Sequence, residues 1–147
     1  MKTVIFDMDG TLADIAHRVH HVRAKRKDWR AFHKAIPDDT PNPAVVALYM
    51  TLWRSGEYDL QIVTGRNEAH RAATERWLDD QAIPYTRITM RADNDYRPDT
   101  VVKKEILDHF RQDEGRDVLF AVDDRDGVVA MWRSEGVTCL QCAEGNF

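Results

Sequence analysis

The run VIFDMDGTL, from Val4 to Leu12, carries a β-branched apolar segment into two aspartates spaced two apart and then into a glycine turn. Acids where a strand gives out point to an open α/β sheet, which receives ligands outside the carboxyl ends of its strands. Side chains alternate faces along a strand, so Asp7 and Asp9 are expected to point the same way at that end. Two carboxylates so placed repel each other, and they require a cation, a shared proton or water.

The rest of the chain repeats the strand-then-helix alternation. The runs KTVIF (2–6), DLQIV (59–63), TRITM (86–90), DVLFAV (117–122) and VTCLQ (137–141) read as strands. Helical spacing predicts helices over 14–27, with Ile15, Val19 and Val22 on one face, and over 28–36, capped by Asp28 with Trp29, Phe32 and Ile36 on one face. Further helices are predicted over 43–54, 67–81, 99–112 (capped by Asp99) and 126–135, with PDDTPNP (37–43) and RADNDYRP (91–98) as loops. This pattern specifies an α/β fold, a three-layer Rossmann-like sandwich around a five-stranded parallel sheet, in a single domain over 1–147. One connection is out of proportion. Roughly 50 residues part the first two strands, so 14–42 is expected to form a small helical cap insert above the acids.

At 147 residues and 43% hydrophobic, the chain is long enough for a proper core and too apolar to be disordered. No stretch nears the ~20 apolar residues of a membrane span, so no membrane association and a cytoplasmic location are expected. Two cysteines, Cys139 and Cys142, exclude a disulfide framework, and their position near the C-terminal end reads as structural rather than redox. Charge is uneven. Arg18, Arg23, Lys25, Arg26, Lys27, Arg30 and Lys34 face only Asp28 between residues 15 and 36, a segment of +6 in a chain whose net charge is −4. Such a run is ordinarily a solvated face. Above a phosphate site, Arg18 and its neighbours become candidates for the next phosphate of a nucleic acid.

Three more polar clusters fall at the edge where the acids lie: TGR (64–66), DDRDG (123–127), and Lys103 near the start of its helix. A carboxylate of ordinary pKa is ionised at neutral pH and attacks phosphorus once the phosphate's charge is neutralised, a role that suits Asp7. Magnesium prefers oxygen ligands, so Asp7, the carbonyl of Asp9 and an acid of the 123–124 pair are its candidates. Asp9 suits protonation of the leaving oxygen and later activation of water. The Thr64 hydroxyl, Gly65 amide and Lys103 ammonium suit the phosphoryl oxygens. Lys103 is chosen over Lys104 because it shares a helix face with Ile106, Leu107 and Phe110, whereas Lys104 lines up with Asp108 and Arg111. His17 and His21, at i and i+4, lack an acidic third ligand and are not read as a metal site. Trp29, Phe32 and Trp53 read as packing, with base stacking by Trp29 or Phe32 the lesser alternative.

DMDGTL, TGR, the helical lysine and DD, in that order, resemble the haloacid dehalogenase superfamily of magnesium-dependent aspartyl phosphatases. RPDTVVKKEI and VDDRDGVVAMWRSEGVTCLQCAEGNF resemble in particular the phosphatase domain of phage polynucleotide kinase-phosphatases, which remove 3′-phosphates in nucleic acid repair. The resemblance implies Asp7 as nucleophile, Asp9 as acid/base, Thr64 and Lys103 as phosphate ligands, and Asp123 as a metal ligand assisted by Asp124. It also implies active-site positions for Arg18, Arg66 and Asp99, and, for a phage-encoded chain, the host cytoplasm. No GxxxxGK[ST] loop occurs in the chain, so a separate kinase or ligase is an expected partner. Two substrate classes stay open: 3′-phosphorylated polynucleotide ends or nucleotides, and free 5′-nucleotides or other small phosphorylated metabolites. A non-catalytic receiver phosphorylated on Asp7 is disfavoured, since it would not need Asp9, Thr64 and Lys103 together. A dehalogenase proper is disfavoured because a halide leaving group needs no acid.

Overall fold

β1 (Lys2–Phe6) alternates Val4 and Phe6 with Ile5, and the two sets enter separate cores. A strand with both faces apolar requires a covering layer on each side of its sheet. In the computed structural model, which describes residues 1–147, those layers follow in chain order. After β1 come β2 (Ala13–Asp14), α1 (His20–Arg23), α2 (Trp29–Lys34) and β3 (Thr40–Pro41). Then follow α3 (Pro43–Ser55), β4 (Tyr58–Asn67), α4 (Arg71–Asp80), β5 (Arg87–Arg91), α5 (Asp99–Gln112), β6 (Val118–Asp123), α6 (Asp126–Ser134) and β7 (Thr138–Gln141).

The expected five-stranded parallel sheet is present, in the order β5-β4-β1-β6-β7. On one face Val4, Phe6, Leu60 and Ile62 pack with Val45 and Tyr49 of α3 and Trp77 and Leu78 of α4. On the other, Ile5, Val63 and Ala121 pack with Leu107 and Phe110 of α5 and Val128, Val129 and Trp132 of α6. With β1 in the middle, the carboxyl ends of β1, β4 and β6 lie side by side. Cys139 is buried in the second core and Cys142 is half-buried, both as free thiols. No helix is long and apolar enough to cross a membrane.

The segment between β1 and α3 departs from its sequence pattern. No helix runs over 14–27. Asp14 pairs as β2 with Thr40 of β3, and only His20–Arg23 is helical. The Asp14 carboxylate accepts from the Ala16 N–H (2.9 Å), a local bond that competes with helix formation and begins a turn instead. The second predicted helix forms as α2, with Asp28 accepting from the Ala31 N–H (3.0 Å). Phe32 and Ile36 are buried as expected, but Trp29 is 52% exposed and does not share their buried face. The loop over 37–43 holds the end of a 3-10 turn, Ile36–Asp38, and β3. The β2–β3 ladder thus closes the insert on itself at its base.

Candidate active site

The sheet delivers two acids together. Asp7 follows the last residue of β1, and its N–H donates to the Val122 carbonyl (3.1 Å), which sets it beside Asp123 at the end of β6. The Lys103 ammonium lies between them, donating to Asp7 Oδ1 and Asp123 Oδ2, each at 2.9 Å. Lys104 is instead partly exposed and pairs with Asp108 (2.9 Å), as the helix face required. Asp124 completes the group, for one carboxylate oxygen from each of Asp7, Asp123 and Asp124 lies within 4.8 Å of the others. All three acids and Lys103 are buried.

Three acids around one ammonium carry excess negative charge in a region that screens it poorly. Burial first, then the charge of Asp123, pushes Asp7 well above the ordinary carboxylate range despite Lys103. The same two causes push Asp124 up to about 6. Burial opposes the charge on Lys103, but Asp123 and Asp7 overcome it and raise the ammonium well above its usual range. The turn after Asp9 is shaped to this cluster. Gly10 has φ +78°, and a Cβ there would fall 2.0 Å from Asp124 Oδ2, so only glycine passes. Thr11 Oγ1 then stands 3.2 Å from Asp7 Oδ2 and 3.4 Å from Asp124 Oδ1, one proton between two acceptors.

Asp9, two residues on, shares no hydrogen-bond partner with Asp7. β1 stops at Phe6, so alternation no longer governs residue 9. Its Oδ1 accepts from Arg18 Nη2 (2.8 Å) and from Arg66 Nη2 (2.5 Å) and Nε (3.1 Å). Burial alone would raise the Asp9 carboxyl, but Arg66 and Arg18 outweigh it and hold the group down at about 2. Behind the arginines stands Asp39, which accepts from Arg18 Nε (2.7 Å), Arg18 Nη2 (2.9 Å) and Arg66 Nη2 (3.3 Å). His17 Nε2 lies 2.7 Å from Asp39 Oδ1, and Trp77 Nε1 donates to the Asp39 carbonyl (2.8 Å). The Arg18 and Asp39 side chains are both 0% exposed. Arg18 is therefore committed to these two acids and is not free to meet a further phosphate.

β4 brings the third cluster. Phe6 pairs with Ile62, so Thr64 stands just beyond the end of β1. The strand does not end at Thr64 as predicted. It runs to Asn67 with a register shift against β5 between Thr64 and Asn67, and a 3-10 turn, Glu68–His70, precedes α4. Such irregularities re-aim side chains. Here the Arg66 N–H donates to Thr64 Oγ1 (3.1 Å), while the Arg66 side chain turns inward to Asp9. Gly65 is in contact with Asp99, since a Cβ at Gly65 would fall 2.4 Å from Asp99 Oδ1. Asp99 was expected to cap α5. Pro98 occupies the cap, and Asp99, the first helical residue, reaches sideways to Arg91 and Arg125.

The structure thus brings Asp7, Lys103, Asp123 and Asp124 into one cluster, and Asp9, Arg18 and Arg66 into another. Sequence reasoning missed Asp39 and Thr11. Nothing in PDDTPNP separates Asp39 from its exposed neighbour Asp38, since both suit a polar loop. Thr11 had a signal, the DGT turn, which sets its hydroxyl four residues after Asp7.

The comparisons agree with this fold. The polynucleotide kinase PNKP phosphatase domain family matches residues 1–147. A chain from the Pnkp1/Rnl/Hen1 RNA repair complex is 34% identical, with a TM-score of 0.83 over 99% of this chain and 43% of that one. A chain from a second Pnkp1/Rnl/Hen1 complex structure is also 34% identical, with a TM-score of 0.80 over 99% of this chain and 47% of that one. The present chain therefore spans less than half the length of either. A haloacid dehalogenase-like hydrolase from Streptococcus pneumoniae, 16% identical, shares the fold with a TM-score of 0.69 over 96% of this chain and 84% of that one. The chain belongs to the PNKP phosphatase domain family and is a haloacid dehalogenase-type phosphatase.

Proposed function

We propose that this phosphatase removes 3′-phosphates from nucleic acid ends or nucleotides through an aspartyl-phosphate on Asp7. The observation that carries the reading is the pairing of two unlike carboxylates: Asp7 against Lys103 and Thr11, and Asp9 held ionised by two guanidiniums. An Asp7 oxygen attacks phosphorus as the bond to the ester oxygen breaks, and the leaving oxygen takes a proton from Asp9. Water then attacks the acyl-phosphate and gives a proton to Asp9, which releases inorganic phosphate and restores Asp7. The free enzyme holds Asp9 ionised, so Asp9 must gain a proton before it donates one. An arriving phosphate dianion favours that gain by offsetting the charge of Arg18 and Arg66. Thr64, the Gly65 amide and Lys103 bind the phosphoryl oxygens, and Asp99 keeps the Gly65 turn in place.

Asp7, Asp123 and Asp124 fit a magnesium ion, being three oxygen donors gathered with excess negative charge, and the Asp9 carbonyl is a further candidate ligand. When bound, the ion supplies charge neutralisation at the phosphoryl oxygens. A role in nucleic acid repair is supported by the similarity to a chain of the Pnkp1/Rnl/Hen1 RNA repair complex.

Parallel assays with magnesium on a 3′-phosphorylated oligonucleotide, a 5′-phosphorylated one and free 3′- and 5′-nucleotides test the substrate. Preference for 3′-esters is expected, and faster turnover of 5′-nucleotides would replace the reading with the free-metabolite alternative. Asp9→Asn is expected to lose roughly 10²–10⁴-fold on alkyl phosphates and much less on aryl phosphates, whose leaving oxygens need no proton. Equal losses on both would remove Asp9 from the acid role.

The metal assignment makes a pH-dependent prediction. Asp7 and Asp124 have raised pKa values, so the folded protein binds more protons than the unfolded chain above the ordinary carboxylate range. In chelator this part of the stability is therefore lost as pH rises toward and through about 6. Magnesium replaces those protons, so its gain in melting temperature should grow over the same interval. Histidine titration is common to both arms and subtracts out. A gain that is flat or falls with pH would rule out this cluster as the metal site.

A further inference from the structure

The sequence contains a basic, aromatic segment that the chemistry above leaves unused. Of its seven cations only Arg18 is buried. Arg23, Lys25, Arg26, Lys27, Arg30 and Lys34 are all exposed and none enters an ion pair, whereas three cations elsewhere on the surface, Arg71, Arg97 and Lys104, are met by local acids. The one acid of the segment, Asp28, is occupied in capping α2. Six cations against one acid on about a dozen residues repel one another, and a polyanion would relieve that repulsion.

A line of rings runs from this surface toward the catalytic acids. Trp29, 52% exposed, stacks on His33 with centroids 6.0 Å apart and planes 27° apart. His33 stacks on His70 at 3.9 Å and 26°. His70 closes the 3-10 turn that follows Arg66 in β4. Next to His33, Phe32 lies under the Arg18 guanidinium (4.2 Å), which holds Asp9. Burial first, then His70, pushes His33 down to about 4, so the His33 ring at the centre of the stack is neutral near pH 7. The Lys27 ammonium stands 5.9 Å from the Trp29 ring. A half-open indole backed by stacked rings and bordered by free cations matches the two requirements of single-stranded nucleic acid binding, an aromatic face for a base and a positive path for the backbone.

We infer that Trp29, backed by His33 and His70, is a nucleobase-stacking platform, and that the basic segment 23–34 binds the backbone of a single-stranded oligonucleotide whose 3′ end enters the active site. The inference rests on the proposed 3′-phosphatase reading for its orientation, but its test does not depend on turnover. Binding of a fluorescein-labelled single-stranded oligonucleotide with a 3′-hydroxyl, which cannot be hydrolysed, is followed by anisotropy. Trp29→Leu should weaken binding roughly five- to hundredfold, the span of base–aromatic stacking, and Trp29→Phe should recover most of the loss. Leucine fills apolar space but offers no ring face, so equal binding by the two variants would reduce Trp29 to packing and overturn the platform. The combined change Lys25→Ala, Arg26→Ala and Lys27→Ala should lower the slope of log affinity against log salt by about two, and an unchanged slope would remove the backbone path. A blunt duplex bound as tightly as the single strand would also overturn the inference. Hydrolysis of a 3′-phosphorylated oligonucleotide and of 3′-nucleotides, measured separately, reports the proposed function. Its absence with binding intact would sink that function and leave the platform, and the converse would sink the platform alone.

Discussion

Asp7→Asn is expected to abolish turnover, with a loss of at least ~10⁴-fold, while the fold remains intact. Asparagine keeps the shape of the side chain and still offers an oxygen to Lys103, but it is not an anionic nucleophile and cannot form the acyl-phosphate. The wild-type carboxyl is raised by burial and by Asp123, so removing its charge relieves repulsion in the cluster. The melting temperature in chelator should therefore be unchanged or higher than wild type near neutral pH. Beryllium or aluminium fluoride with magnesium should be retained by the wild type at Asp7 and not by the variant. Full activity in Asp7→Asn, with contaminating wild type excluded, would end the covalent mechanism.

The largest effect on stability is expected outside the reacting atoms, at Asp39. Arg18 is wholly buried, and Asp39 receives two of its hydrogen bonds along with one from Arg66. Asp39→Ala leaves two buried guanidiniums sharing Asp9 alone. Removing one partner from a buried ionic group costs about 3–5 kcal/mol, or roughly 10 °C in melting temperature for a domain of this size. Asp38→Ala, one residue away and exposed, should stay within about 0.5 kcal/mol of wild type. Equal melting temperatures for the two variants would show that the bonds from Arg18 and Arg66 to Asp39 do not stabilise the fold. Asp39→Ala should also depress turnover, because Arg18 and Arg66 orient Asp9.

The parts of the site that were legible in the sequence share one property. Asp7, Lys103 and Asp123 sit where a regular element ends or on its inward face, so strand order and helix spacing suffice to bring them together. The Lys103 choice needed only the apolar neighbours on its own helix. The position of Thr64 just beyond the end of β1 was legible for the same reason, although the continuation of β4 past it was not, because it depends on the register shift against β5.

Misreadings concentrated in the insert and in the contacts it makes. Ile15, Val19 and Val22 have helical spacing, yet the Asp14 turn and the β2–β3 pairing prevail there, since a two-residue ladder with Thr40 and Pro41 leaves no local pattern. Trp29 has the spacing of a core residue and stands half in solvent. Sequence alone determined the α/β fold, the edge at which the site lies and the residues at the strand ends, because strand and helix periods are local and the position of a strand's carboxyl end follows from them. Only the tertiary structure decided that Arg18 and Arg66 converge on Asp9 and that Asp39 stands behind them. Those charges come from positions up to 57 residues apart, and a buried ion pair is selected by which groups packing brings within reach, which no local period records.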